Sequence, residues 1–183
     1  FWLEWKGGVG HLTYWDKNKG EDGERVAIEV APKPFRCVPI AITRTVTGYS
    51  KLRKGGIYAN EVLDHNTDPL TVRCHSDKEV IASGLWKDIK DTVTNKKNSG
   101  KFAINLYFGY KDGSALKLGC WRISGCALGP WFEFEKKNKR ALMAKGLVIG
   151  KGDHDTSGSV EFYPPIFGLC DIAPETDLEA KKL

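Results

Sequence analysis

Short apolar runs alternate with polar, glycine-punctuated breaks along this chain, a rhythm that favours strands over helices. His11–Asp16 predicts a first strand and Arg25–Val30 a second, with a charged turn over 16–23 between them. Ala31–Phe35 holds Pro32 and Pro34 and predicts an edge or loop. Val38–Gly48 is a long β-branched run and predicts a bent barrel strand. Leu52–Gly56 reads as a basic Gly-Gly loop, and Ile57–Leu63 and Leu70–Cys74 as two further strands. Leu85, Trp86, Ile89 and Val93 recur at helical spacing, which predicts a short amphipathic helix over Leu85–Val93, followed by a polar loop over Lys96–Gly100. Phe102–Tyr110 and Ser114–Ile123 form the clearest hairpin, turning at Lys111-Asp112-Gly113. Trp131–Phe134 fits a strand or the start of a helix after Pro130. Leu147–Ile149 and Ser159–Phe167 predict closing strands around a glycine-rich loop. Phe1–Lys6, with Trp2 and Trp5, predicts a strand-like or irregular arm, and the acidic stretch from Asp171 onward a helical or disordered tail.

Strands on both sides of one helix predict a mainly β fold. The expectation is an OB-fold-type five-stranded Greek-key barrel with extra strands and one or two short helices. It occupies residues 1–170 as a single domain with an N-terminal arm, and 171–183 form an acidic C-terminal tail. Composition adds bounds. At 183 residues, 41% hydrophobic and 28% charged, the chain has the make-up of a globular domain. No apolar run reaches the roughly 18 residues that span a bilayer, so no membrane partner is expected. No secretory pattern opens the chain, whose first residue is Phe1 rather than Met. Five scattered cysteines do not read as a disulfide scaffold, which points to a reducing cytoplasm.

The formal charge is +5, and its distribution says more than its sum. Arg44, Lys51, Arg53 and Lys54 fall in a stretch without acids, as do Lys136, Lys137, Lys139, Arg140, Lys145 and Lys151. Asp171, Glu175, Asp177 and Glu179 mark the acidic end. Aromatic residues adjoin the bases: Tyr49 and Tyr58 flank Lys51, Arg53 and Lys54, and Trp121 adjoins Arg122. Single-stranded DNA offers phosphates to cations and open base faces to rings. Most aromatics of a β domain fill its core; alternation puts Phe102, Ile104, Leu106 and Phe108 on one face and Ala103, Asn105 and Tyr107 on the other. The expected DNA-binding residues are therefore Arg44, Arg53, Lys54, Lys101 and Arg122 for phosphates, Tyr49, Tyr58, Tyr107 and Trp121 for stacking, and Lys51 beside them.

Several segments resemble a group of bacteriophage single-stranded DNA-binding proteins. They are Thr47-Gly48-Tyr49-Ser50, Gly56-Ile57-Tyr58-Ala59-Asn60-Glu61-Val62, Gly84-Leu85-Trp86, Lys101-Phe102-Ala103 through Tyr107-Phe108-Gly109-Tyr110, Leu116-Lys117-Leu118, and Ala127-Leu128-Gly129-Pro130-Trp131-Phe132-Glu133-Phe134. The resemblance lies in order and spacing over about residues 10–170, not in one diagnostic motif. It implies an OB-fold and sequence-nonspecific binding of single strands during phage replication or recombination, in the host cytoplasm, without catalysis or cofactor. It also implies replication or recombination partners reached through an acidic tail; here the chain ends on Lys181, Lys182 and Leu183, which departs from that pattern.

Rival chemistries carry weaker signals. Cys74-His75 and Cys120-x5-Cys126 lack the paired spacing of a structural zinc site. Asp153-His154-Asp155 sits in a glycine-rich loop and reads as solvated. Ser124-Gly125-Cys126 is no nucleophile elbow. Neither Gly150-Lys151-Gly152 nor Lys54-Gly55-Gly56 is a Walker loop. Glu135-Lys136-Lys137, with Asp112 upstream, has the acid-x-Lys form of some metal-dependent nucleases and is the enzymatic alternative. A β-rich interaction or virion module is the third.

Overall fold

The computed structural model describes residues 2–16, 26–30, 34–113 and 115–183. Most of the expected turn over 16–23 and of the loop over 31–35 lies outside the described residues, as does Ser114. The chain forms two compact units, Phe1–Ala41 with Leu106–Leu183, and Ile42–Asn105. Strands β4 (Phe35–Ser50) and β8 (Gly100–Asp112) contribute residues to both.

The Ile42–Asn105 unit is built from sequential antiparallel strands. β4 pairs with β5 (Gly55–Ala59), β5 with β6 (Leu70–Cys74) and β6 with β7 (Val80–Gly84), giving the order β8-β4-β5-β6-β7. Alternation decides the faces. On β6 Leu70, Val72 and Cys74 are buried, whereas Thr71 and Arg73 point the other way. The buried face, with Val46 and Ile57, receives helix α1 (Trp86–Thr94), whose Ile89 and Val93 lie one turn apart and both pack into it. Gly48 is required by packing: a Cβ there would lie 2.5 Å from the Ser99 carbonyl oxygen. Loss of that glycine would push β4 away from the loop entering β8.

The other unit holds β1 (Trp2–Lys6), β2 (His11–Asp16), β3 (Val26–Glu29), β9 (Ala115–Ile123), α2 (Leu128–Asn138), β10 (Gly146–Lys151), the hairpin β11 (Asp155–Ser157) and β12 (Val160–Phe162), β13 (Pro165–Cys170) and α3 (Pro174–Ala180). Its strand order is β3-β2-β1-β9-β8, and β10 lies between β4 and β13. The expected arm is strand β1, parallel to β9 with Leu3 opposite Trp121. Trp5, Trp121, Trp131, Phe134 and Phe167 form the aromatic core, with ring centroids 5.2–6.2 Å apart.

Trp131–Phe134 belongs to α2. Trp131 and Phe134 are three residues apart and both buried, a helical pairing, and Pro130 sits in the first turn, where no amide donor is needed. The acidic C-terminal stretch is likewise helical, and α3 buries Ala180, whose Cβ lies 3.4 Å from the Cβ position at Gly109. β7 was not anticipated, because Val80–Gly84 is short and half polar. The fold is thus mainly β with a mixed sheet; no closed barrel is found among the described residues. No helix among them is long and apolar enough to cross a membrane.

Candidate nucleic-acid interface

The outer face of the Ile42–Asn105 sheet carries Tyr49 and Tyr58, with Lys51 and Lys54 in the turn that ends it. Thr47 pairs with Tyr58, and Tyr58 in turn with Arg73. One step along, Tyr49 pairs with Gly56, whose carbonyl oxygen accepts the His75 amide at 2.8 Å. Cross-strand partners share a face, so Tyr49, Tyr58, Arg73 and His75 all project away from the core. Tyr49 is 60% exposed. Tyr58 stacks on the His75 ring at a centroid distance of 4.1 Å and an interplanar angle of 24°.

The β4–β5 turn ends this face and lifts Lys51 and Lys54 into solvent, Lys54 with a left-handed φ of 51°. Lys101 is exposed at the start of β8, next to Gly100, which lies against Gly48. Lys51, Lys54 and Lys101 make no ion pair among the described residues. The charge belongs chiefly to this unit: residues 42–105 carry eleven Lys and Arg against seven Asp and Glu, and the rest of the chain seventeen against sixteen.

Arg53 is the first correction. Its guanidinium donates to Asp77 at 2.9 Å, Glu79 at 3.2 Å and Asn98 at 3.3 Å, and its side chain is only 18% exposed. The Glu79 hydrogen bond, followed by that to Asp77, raises its pKa. Asp77 is held below the usual carboxylate range, first by the Glu79 amide and then by Arg53. Arg53 thus ties the β4–β5 turn to the β6–β7 turn, and its charge is already neutralised.

Trp121 is the second. It is fully buried, stacked on Phe167 and tilted against Trp5, and cannot meet a base. A tryptophan inside β9 has the volume that a core position demands, and its basic neighbour Arg122 points the other way, 4.9 Å above the Trp2 ring. Tyr107 is half-buried on β8, and it, Trp121 and Arg122 belong to the other unit. Arg44 is half-buried, pairs through its backbone with Val62 and donates to the Ile42 carbonyl at 3.3 Å.

Two members of the face, His75 and Arg73, escaped the sequence reading. Their signal was available: the alternation that buries Val72 and Cys74 sends Arg73 and His75 outward. The same alternation separates Cys74 from His75, so the pair cannot hold one metal ion. Among the described residues no group of three or more His, Cys, Asp or Glu is placed to hold a metal. Glu135, Lys136 and Lys137 lie on α2. No family model matches the chain, and no curated protein or solved structure matches it either.

Proposed function

We propose that this chain binds single-stranded DNA without sequence preference and without cleaving it, using the outer face of β4, β5 and β6. The observation that carries the reading is the combination on one hairpin of an exposed ring, Tyr49, with two exposed lysines, Lys51 and Lys54, that make no ion pair among the described residues, beside the stacked Tyr58 and His75. Cations there neutralise phosphates, and the rings take bases whose faces are open only in a single strand. The reading keeps the OB-type strand face expected from the sequence, and places the protein in the cytoplasm of a phage-infected cell during replication or recombination, with acidic α3 as a contact for partner proteins.

The test is a binding titration with labelled single- and double-stranded oligonucleotides, with and without Mg²⁺. Uncleaved single strand held more tightly than duplex is the expected result. Metal-dependent cleavage would select a nuclease, and no binding at low salt an interaction module.

A further inference from the structure

We infer that the hollow beside α3 binds a small apolar molecule carrying one carboxylate. The site lies wholly in the unit of residues 1–41 and 106–183, and it stands apart from the single-strand reading. The hollow measures about 390 Å³ and is bordered by the start of β4, the end of β8, the start of β9 and the segment from Cys170 to Thr176.

Small residues on both sides keep this space open. Arg36 pairs with Val148 across β4 and β10, and Gly146 with Cys170 across β10 and β13. Residues two apart in a strand share a face, so Arg36, Gly146 and Cys170 lie on the side away from buried Phe35 and Leu147. Gly146 adds no side chain there, and a Cβ would lie 2.7 Å from Cys170 Sγ. On α3, Thr176 borders the hollow and Ala180, one turn on, is the residue the helix buries. Ala180 rests against Gly109, so the helix is anchored at its far end while the stretch with Ala173 and Thr176 borders open space. Protein interiors are close-packed, and an unfilled apolar space forfeits dispersion contacts that an occupant would restore. The volume falls in the range of small-molecule sites.

The walls state the chemistry of the occupant. Val38, Tyr110, Leu116 and Ile172 supply apolar surface. Three charged residues border the space: Arg36, Lys111 and Asp171. The Asp171 carboxylate already accepts from Lys145. Arg36 and Lys111 are exposed and make no ion pair among the described residues. The rim therefore offers two cations and no spare anion. An apolar body suits the walls and an acid group the rim; an amine would meet like charge, and a sugar would leave its hydroxyls facing carbon.

Decanoate and decanol, both below their aggregation limits, are the probes. Each is titrated into the full chain by calorimetry, with thermal melting, and alkylation of half-buried Cys170 is followed by peptide mass spectrometry. Decanoate should bind saturably, raise the melting temperature, slow Cys170 alkylation and bind about tenfold more tightly than decanol. Arg36→Ala Lys111→Ala should remove that preference and leave decanol binding unchanged. Thr176→Trp, which puts a large ring into the hollow from a surface helix, should abolish binding of both. Absence of saturable binding to the wild-type chain, or decanoate binding that leaves Cys170 alkylation unchanged, refutes the site. A folded Thr176→Trp that binds as wild type refutes it as well. Equal affinity for the two probes, or a preference that survives loss of Arg36 and Lys111, refutes the carboxylate assignment. None of these results bears on DNA binding, which the oligonucleotide titration tests separately.

Discussion

A guanidinium held by two carboxylates and an amide oxygen has little left to offer a phosphate, so Arg53 acts through what it positions. Tyr49 is the opposite case: an exposed ring on a paired strand, whose removal takes away stacking area but no core contact. Tyr49→Ala should weaken binding to oligo(dT) and oligo(dA) alike by about tenfold, within the 1–3 kcal/mol worth of a stacked base, with an unchanged melting temperature. A loss confined to one base would instead mean hydrogen-bonded readout. Trp121→Ala should do the reverse. It empties a fully buried site and should cost about 3–5 kcal/mol in chemical denaturation, while the protein that remains folded binds DNA with the wild-type Kd.

The β4–β5 and β6–β7 turns stand or fall together because Arg53 bridges them to Asp77 and Glu79. Asp77 titrates lower in the folded protein than in the unfolded chain. Its contribution is therefore complete above the ordinary carboxylate value of 3.8 and is lost as pH falls through the lower folded value. Asp64, held low by hydrogen bonds from Asn66, acts with the same sign. The melting temperature should drop as pH goes from 5 to below 3.8, and an Asp64→Asn Asp77→Asn variant should show a shallower drop. A steeper drop in the variant would remove these two carboxylates from the account. Turn chemistry of this kind is poorly legible in a sequence, because Arg53 and Asp77 look alike whether they meet or face solvent.

For the molecule as a whole, charge is the property that reaches a distant ligand. Four of the five net positive charges fall in the Ile42–Asn105 unit, which is about a third of the chain. Each phosphate contact on a single strand contributes about 0.7 to the log–log dependence of affinity on salt. Lys51→Ala Lys54→Ala should therefore flatten that dependence by about 1.4 if both lysines touch phosphate. An unchanged slope would move the phosphate track elsewhere, to Lys101 or beyond this face.

Strand periodicity, the amphipathic α1 and the Phe102–Ile123 hairpin were legible from residue order, since a buried face imposes a period of two on a strand and 3.6 on a helix whatever surrounds it. The closeness of rings to bases in the sequence was legible too, and it put Tyr49, Tyr58, Lys51 and Lys54 in one place because a hairpin folds neighbours onto each other. Folding at longer range settled the rest. Trp131–Phe134 satisfies both periods, and only its packing against Phe167 selects the helix. Trp121 and Tyr49 each stand near a base in the chain, yet one fills the space between Trp5 and Phe167 and the other meets water. Periodicity says that a strand has two faces; which face is covered depends on elements more than a hundred residues away in the chain, as with Trp5 and Trp121, and no local pattern contains that information.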